Sequence, residues 1–428
     1  MYNLIASQEY YDTQQYQSNR TNPTSKRHIF HYTLPPCLPY TTNSMQIAIL
    51  GRQPALGLAE LEQVFGAQTI EPFADQFAFV DADISLERLG GTTKVAKHLT
   101  TLPTANPQKV FDYCRRELPK HLQYVPEGKL KLGISLYGFD MPIDRINANM
   151  LSLKKVVKNA GRSVRVIPNT HAELSSAQTY HNSLTSPLGM ELVGIKVGNE
   201  TVLGQVTQVQ DFEAFAARDQ ARPKTDAFVG MLPPKLALMM VNLSGTHEGR
   251  VLDPFCGTGV VLQEAALLGH DVYGTDLAEK MVRYSEINMK WLKEKYALST
   301  DATLEEADAM TASWKKPIDA VVAETYLGQP FSAPPSSMKL KEVRGNCNHI
   351  ISNFLKNIAG QLSPGTPLCL AVPAWRDGRG MFTHLPLVEN LDSLGYSEHA
   401  LTHVRSRELL YFREDQIVAR QLLVLTKI

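Results

Sequence analysis

Ten residues, Val251-Leu-Asp-Pro-Phe-Cys-Gly-Thr-Gly-Val260, constrain this chain more than any other stretch. An apolar pair ends in the carboxylate of Asp253, a tight turn carries Gly257 and Gly259, and an Ala/Leu-rich run follows to Gly269. Strand, turn and helix in that order open a doubly wound α/β domain. The glycines let the turn bend and let a ligand approach bare backbone, and the helix aims its unpaired N–H groups at the same place. A second strand, Asp271-Val-Tyr-Gly-Thr-Asp276, ends in an acid twenty-three residues after Asp253 (276 − 253), where such sheets grip ribose hydroxyls. Ala307-Asp308-Ala309 is a third acid-bearing turn, and Ile318 to Ala323 runs into Glu324-Thr-Tyr-Leu-Gly328. Four successive strand ends bearing polar residues predict a ligand site. A dinucleotide turn needs G-x-G-x-x-G, but Val260, Val261 and Leu262 follow Gly259, which argues against NAD.

The chain's 428 residues have room for two or three domains. Formal net charge is zero, so contact with nucleic acid has to come from local patches. No apolar run reaches membrane-spanning length, and the five cysteines show no metal-like or disulfide spacing, which predicts no metal site and fits a reducing cytoplasm. Residues 1–44 lack periodicity and read as a disordered extension or a start-site artefact. Residues 45–107 read as a small β-α-β-(α) ferredoxin-like domain: strands Gln46–Leu50 and Phe77–Val80, a helix with Leu58, Leu61, Val64 and Phe65 on its apolar face, and a second helix over Leu86–Leu99. Residues 108–210 form a further α+β module. Its helix places Ile146, Met150, Leu153 and Val157 on one face, and Thr170–Leu184 reads as another helix. Lys154, Lys155, Lys158, Arg162 and Arg165 crowd within twelve positions (165 − 154 + 1). They form either a solvated helix face or a phosphate-binding patch.

Asp253-Pro-Phe-Cys-Gly-Thr-Gly259 resembles motif I of the S-adenosylmethionine-dependent methyltransferases that act on exocyclic amines of nucleic acid. The wider order also resembles the THUMP-domain tRNA methyltransferases, most nearly those that methylate N2 of the guanosine at position ten. That order is a ferredoxin-like segment, a basic α+β module and the Arg218-Asp-Gln-Ala-Arg-Pro223 run, then Gly230-Met-Leu-Pro-Pro-Lys-Leu-Ala237. The resemblance implies a class I Rossmann-like methyltransferase domain over 211–428 preceded by a THUMP-like RNA-binding region, with S-adenosyl-L-methionine as cofactor. The implied cofactor-binding residues are Met231, Leu232, Asp253, Phe255, Cys256, Gly257, Gly259, Asp276, Leu277, Asp308 and Ala309. The implied partner is tRNA, alongside a small activating subunit that the sequence does not identify.

The fourth strand end departs from the family, which usually reads Asp/Asn-Pro-Pro-Tyr/Phe. There a side-chain oxygen and a backbone carbonyl accept the N–H bonds of the amine, and the aromatic ring stacks on the base. Here Ala323-Glu-Thr-Tyr-Leu-Gly328 lacks both prolines, and two registers stay open: Glu324 in the acid place, or Tyr326 in the aromatic place. Glu324, Thr325 and Tyr326 are the catalytic candidates. Two further readings accompany this one, a catalytically weak RNA-binding relative acting in RNA maturation and an adenine-N6 DNA methyltransferase.

Overall fold

A computed structural model describes residues 45–226, 231–331 and 333–428; the extension expected over 1–44 lies outside them. The chain runs through β1 (Gln46–Leu50), α1 (Pro54–Phe65), β2 (Ile70–Ala74), β3 (Phe77–Val80) and β4 (Thr92–Leu102). Then come α2 (Pro107–His121), β5 (Leu130–Tyr137), α3 (Ile143–Asn159), β6 (Val164–Val166), α4 (Ser176–His181), β7 (Gly189–Val197) and β8 (Glu200–Val209). The second half holds α5 (Phe212–Gln220), α6 (Pro234–Leu243), β9 (Arg250–Asp253), α7 (Val260–Leu267), β10 (Asp271–Asp276), α8 (Glu279–Tyr296) and β11 (Ala302–Glu306). It closes with β12 (Ala320–Glu324), α9 (Ser337–Ala359), β13 (Pro367–Arg376), β14 (Phe382–Thr383), β15 (Tyr396–Glu398), β16 (Leu410–Tyr411) and β17 (Val418–Lys427). Two compact units result. Of the described residues, one joins those from Met45 to Ile47 to Lys94–Val209, and the other joins Ala48–Thr93 to those between Gln210 and Ile428.

In the first unit the strands lie in the order β4-β8-β7-β5-β6. Parallel β5 and β7 are flanked by the β7–β8 hairpin, which turns at Gly198 with φ 55°. The four predicted positions of α3 are all fully buried, packed with Val110, Phe111, Leu132 and Ile134. Inside the sheet Glu191 is fully buried and takes Lys94 Nζ at 2.7 Å, Ser135 Oγ at 2.6 Å and Thr179 Oγ1 at 2.5 Å. A buried charge needs that degree of satisfaction. Two expectations fail here. The helix predicted over Leu86–Leu99 is one 3-10 turn, Leu86–Arg88, followed by β4. The β-branched Thr92, Thr93, Val95, Thr100 and Thr101 suit a strand, and β4 pairs antiparallel with β8. The helix predicted over Thr170–Leu184 shrinks to Ser176–His181, started by a capping box between Ser175 and Gln178.

The second unit carries a sheet ordered β11-β10-β9-β12-β13-β17-β15. Strands β11 to β13 in this order are parallel, and β17 runs antiparallel to β13 along its length. The near-continuous apolar run of β12 and the buried Val251 and Leu252 of β9 follow from burial on both faces. One face is packed by α6 and α7, with Leu236, Met240, Val261 and Leu262; the other by α9, with Cys347, Ile351, Phe354 and Leu355. Helix α1 adds Leu56 and Ala59 to the first of these cores. Its predicted face is corrected: Leu58, Val64 and Phe65 are only half-buried, whereas Leu56, Ala59, Glu60 and Leu61 are fully covered. Glu60 tolerates this because its carboxylate accepts the N–H groups of Gly90 and Gly91 and the amide of Asn242 at 2.8–2.9 Å.

Candidate active site

The site forms where the parallel strands end. Asp253 closes β9, and its buried carboxylate accepts the N–H of Phe255 at 3.1 Å. Burial pushes this carboxyl well above the usual range; the Phe255 bond opposes the shift, and the charges of Asp276 and Glu324 add to it. Gly257 and Gly259 have φ of 52° and 82°, the left-handed region that side chains resist. A Cβ on Gly259 would stand 2.9 Å from Ser285 Oγ. A Cβ on Gly257 would meet nothing nearer than the Phe255 carbonyl at 3.9 Å, so this backbone borders open space. Asp276, at the end of β10, reaches back to this turn and accepts the Gly257 N–H at 2.9 Å. Its other oxygen takes the N–H of Ala278. Cys256 is buried and joins the core, and burial raises its thiol far above the ordinary range. Phe255 leans edge-on against Phe354 with ring centroids 5.1 Å apart.

Leu277, directly after Asp276, is 70% exposed, and Met231, three residues before α6, is 43% exposed. Leu232 instead points inward and joins the core. The segment before α6 is fastened to the turn by Asn288, which the sequence reading missed. Its fully buried side chain bonds the N–H and carbonyl of Lys224 and the carbonyl of Thr258, all at 2.9 Å. Arg218 grips Glu264 of α7 through two bonds of 2.7 and 3.2 Å, both side chains buried. The Arg-Asp-x-x-Arg-Pro run thereby acts as an anchor. At the third strand end Asp308 caps its own turn through the Met310 N–H at 2.9 Å, and the Ala309 carbonyl accepts from Asn357 at 3.1 Å. Ala307 N–H donates to the Asp276 carbonyl at 3.0 Å, so the second and third turns meet.

At the fourth strand end the three catalytic candidates differ in kind. Tyr326 is 42% exposed. Thr325 is buried, and both its hydroxyl and its N–H donate to the Ala371 carbonyl, at 2.9 and 3.0 Å. Glu324 is ion-paired with Arg420 of β17 through Nε and Oε1. Burial raises the Glu324 carboxyl and Arg420 pulls it back down. Sequence reasoning missed Arg420 altogether, because it lies 96 residues from its partner. Of the basic candidates in the first unit, Lys155, Lys158 and Arg165 are exposed and Lys154 is half-buried. Arg162 is committed within the fold, donating to the carbonyls of Gly128 and Val125 at 3.0 and 3.2 Å. Among the described residues, no cluster of His, Cys, Asp or Glu is arranged to hold a metal. No helix there is long and apolar enough to cross a membrane.

The solved structure of TrmN from Thermus thermophilus superposes with a TM-score of 0.50 at 18% identity, covering 90% of this chain and 99% of that one. The sheet of the second unit is Rossmann-like. A family model described as RMKL-like, methyltransferase domain, matches residues 222–346, which hold the glycine turn and all four strand ends. The tRNA (guanine(10)-N2)-dimethyltransferase of Methanothermobacter thermautotrophicus is 34% identical over 162 residues, 37% of this chain and 44% of that protein. The enzyme of the same description from Pyrococcus abyssi is 31% identical over 140 residues, 32% of this chain and 41% of that protein. The chain thus spans less than half the length of these curated relatives.

Proposed function

We propose that this protein transfers a methyl group from S-adenosyl-L-methionine to the exocyclic N2 of a guanosine in tRNA, in the cytoplasm. The observation that carries the proposal is the meeting of the glycine turn, Asp276, Asp308 and Glu324–Tyr326 at one edge of a parallel sheet. Relatives sharing about a third of their residues over the matched stretch are described as guanine-N2 enzymes. The residues present fit the cofactor: bare backbone at Gly257, a carboxylate at Asp276 beside it, and exposed Leu277 and Met231. When bound, the cofactor supplies an electrophilic methyl group on a sulfonium. Asp276 would hold its ribose hydroxyls, Leu277 and Ala309 would line the adenine, and Met231 would cover the methionine end. Glu324 would accept N–H bonds of the target amine, a poor nucleophile whose lone pair is conjugated with its ring. Acceptance strengthens as the nitrogen gains positive charge. Tyr326 would stack on the base, and the module of Lys94–Val209 would act as a THUMP-like holder of tRNA phosphates.

The test is methyl transfer from labelled cofactor to bulk tRNA, followed by nucleoside analysis; N2-methylguanosine is the expected product, and its absence overturns the assignment. One observation favours a second reading, RNA binding with weak catalysis: Arg420 already occupies an oxygen of Glu324. Tight tRNA binding without transfer would decide for that reading.

A further inference from the structure

The geometry points to Glu324 as the residue that selects the base, reading guanine by accepting its N1–H and N2–H together, with Arg420 as the residue that positions it. This inference rests on the guanine-N2 reading above. It starts from three constraints on one carboxylate. Glu324 is the last residue of β12, and the next residue is doubly bonded to the Ala371 carbonyl, so its backbone has little freedom. Its carboxylate is only 15% exposed, so a change of partner there has large consequences. Arg420 stands opposite Pro373 in the β13–β17 ladder, while Glu324 stands beside Ala371. The guanidinium thus belongs two residues further towards the open edge and reaches back to take Oε1. Arg420 itself is 10% exposed, so the pair is largely shielded from water.

An ionised carboxylate only accepts, and it has about four lone-pair directions, of which Arg420 Nε uses one. Exocyclic amines of bases differ in what lies beside them. In guanine the ring nitrogen next to the amine carries a hydrogen; in adenine and cytosine it is a bare acceptor. An extruded base is read on this edge. Two acceptor oxygens therefore match guanine and oppose adenine or cytosine, whereas an amide, with one acceptor and one donor, would match the latter pair. Where the resembling family places Asp or Asn, this chain places a longer acid, and pairs it with a cation that favours its acceptor-only, ionised form against the effect of burial. Burial raises the Glu324 carboxyl, Arg420 from β17 lowers it, and the charge of Glu324 in turn raises the carboxyl of Asp253 on β9. Only Arg420 favours the ionised form.

The experiment uses the full chain and a tRNA in which the mapped target guanosine is replaced by 2-aminopurine ribonucleoside, which keeps the 2-amine but has no hydrogen on N1. The wild-type protein should methylate it slower than guanine by on the order of a hundredfold or more, since a site built around an N–H rejects the analogue lacking it. Glu324→Gln should be slower on guanine and should narrow or reverse the preference, because its amide can donate to the bare N1. Arg420→Gln should lose rate at neutral pH and recover as pH rises, because without the cation the buried carboxyl stays protonated to higher pH; Arg420→Lys should restore part of the neutral rate. Cofactor affinity by calorimetry should hold in all three variants and would report their folding. Equal wild-type rates on the two bases, or an unchanged preference in Glu324→Gln, overturn the inference alone. No transfer by the wild type to any guanosine overturns it together with the proposed function. If Arg420→Gln does not fold, the base preference of Glu324→Gln still decides.

Discussion

Asp276 and Gly257 are joined across the site: one carboxylate oxygen accepts the glycine N–H at 2.9 Å, fixing the turn from the neighbouring strand. Asp276→Ala removes this bond and, under the proposed function, an acceptor for ribose hydroxyls. Calorimetry should therefore show S-adenosylmethionine binding weakened by about ten- to a hundredfold, the size expected for a hydrogen bond to a charged group. Gly257→Val forces a β-branched residue to φ near 52°, at a cost of about 1–2 kcal/mol, and places methyls where backbone is open. Unchanged affinity in both variants would remove the cofactor assignment.

Lys154, Lys155, Lys158 and Arg165 are the basic candidates not tied to backbone carbonyls as Arg162 is. Replacing these four by Gln should weaken tRNA binding and reduce the slope of log K against log salt by about one unit, or slightly less, per lost phosphate contact. Arg162→Gln should instead lower the melting temperature. An unaltered salt slope in the fourfold variant would mark the patch as a solvated face.

Tyr326 is exposed at the edge that also presents Glu324. If its ring stacks on the target base, Tyr326→Ala should reduce productive RNA binding by about 1–3 kcal/mol with cofactor affinity intact, and Tyr326→Phe should behave like wild type. Equal kcat/KM for the alanine variant and wild type would exclude stacking.

Glu60 makes stability depend on pH. Burial lifts its carboxyl from 4.5 to about 7, against the opposing bonds from Gly90, Asn242 and Gly91. The folded state then holds the proton more tightly than the unfolded chain. Stability is full below pH 4.5 and falls as pH rises towards about 7, by about 3 kcal/mol at most. Glu264 titrates in the same window, raised to about 7 by burial against Arg218. Glu60→Gln should accordingly flatten part of the decline in melting temperature between pH 5 and 8. A decline as steep as that of wild type would assign it to Glu264 or elsewhere.

What could be read from the sequence was what is local. The turn from Asp253 to Gly259 shows in three residue types, and α3 shows in the four-three-four spacing of Ile146, Met150, Leu153 and Val157 because one face meets one core. β4 was mistaken for a helix because its pairing with β8 is settled by residues 99 to 115 positions away (201 − 102 and 209 − 94). The buried side of α1 was misread because Glu60 looks like a surface residue until Gly90, Gly91 and Asn242 are seen around it. Arg420 was beyond reach for the same reason, since the ladder of β17 on β13 alone brings it to Glu324.

Thr325 gives the end of β12 a different kind of stiffness from that of a double-proline loop. A pyrrolidine ring restricts its own residue wherever the rest of the chain goes, but the two bonds from Thr325 hold only relative to the Ala371 carbonyl on β13. β13 in turn runs on to Arg376 and lies along β17, which carries Arg420. The acceptor and its cation are therefore both referenced to the same middle strand. A disturbance of β13 would shift them together and keep their pairing, while changing their common distance from whatever the glycine turn holds.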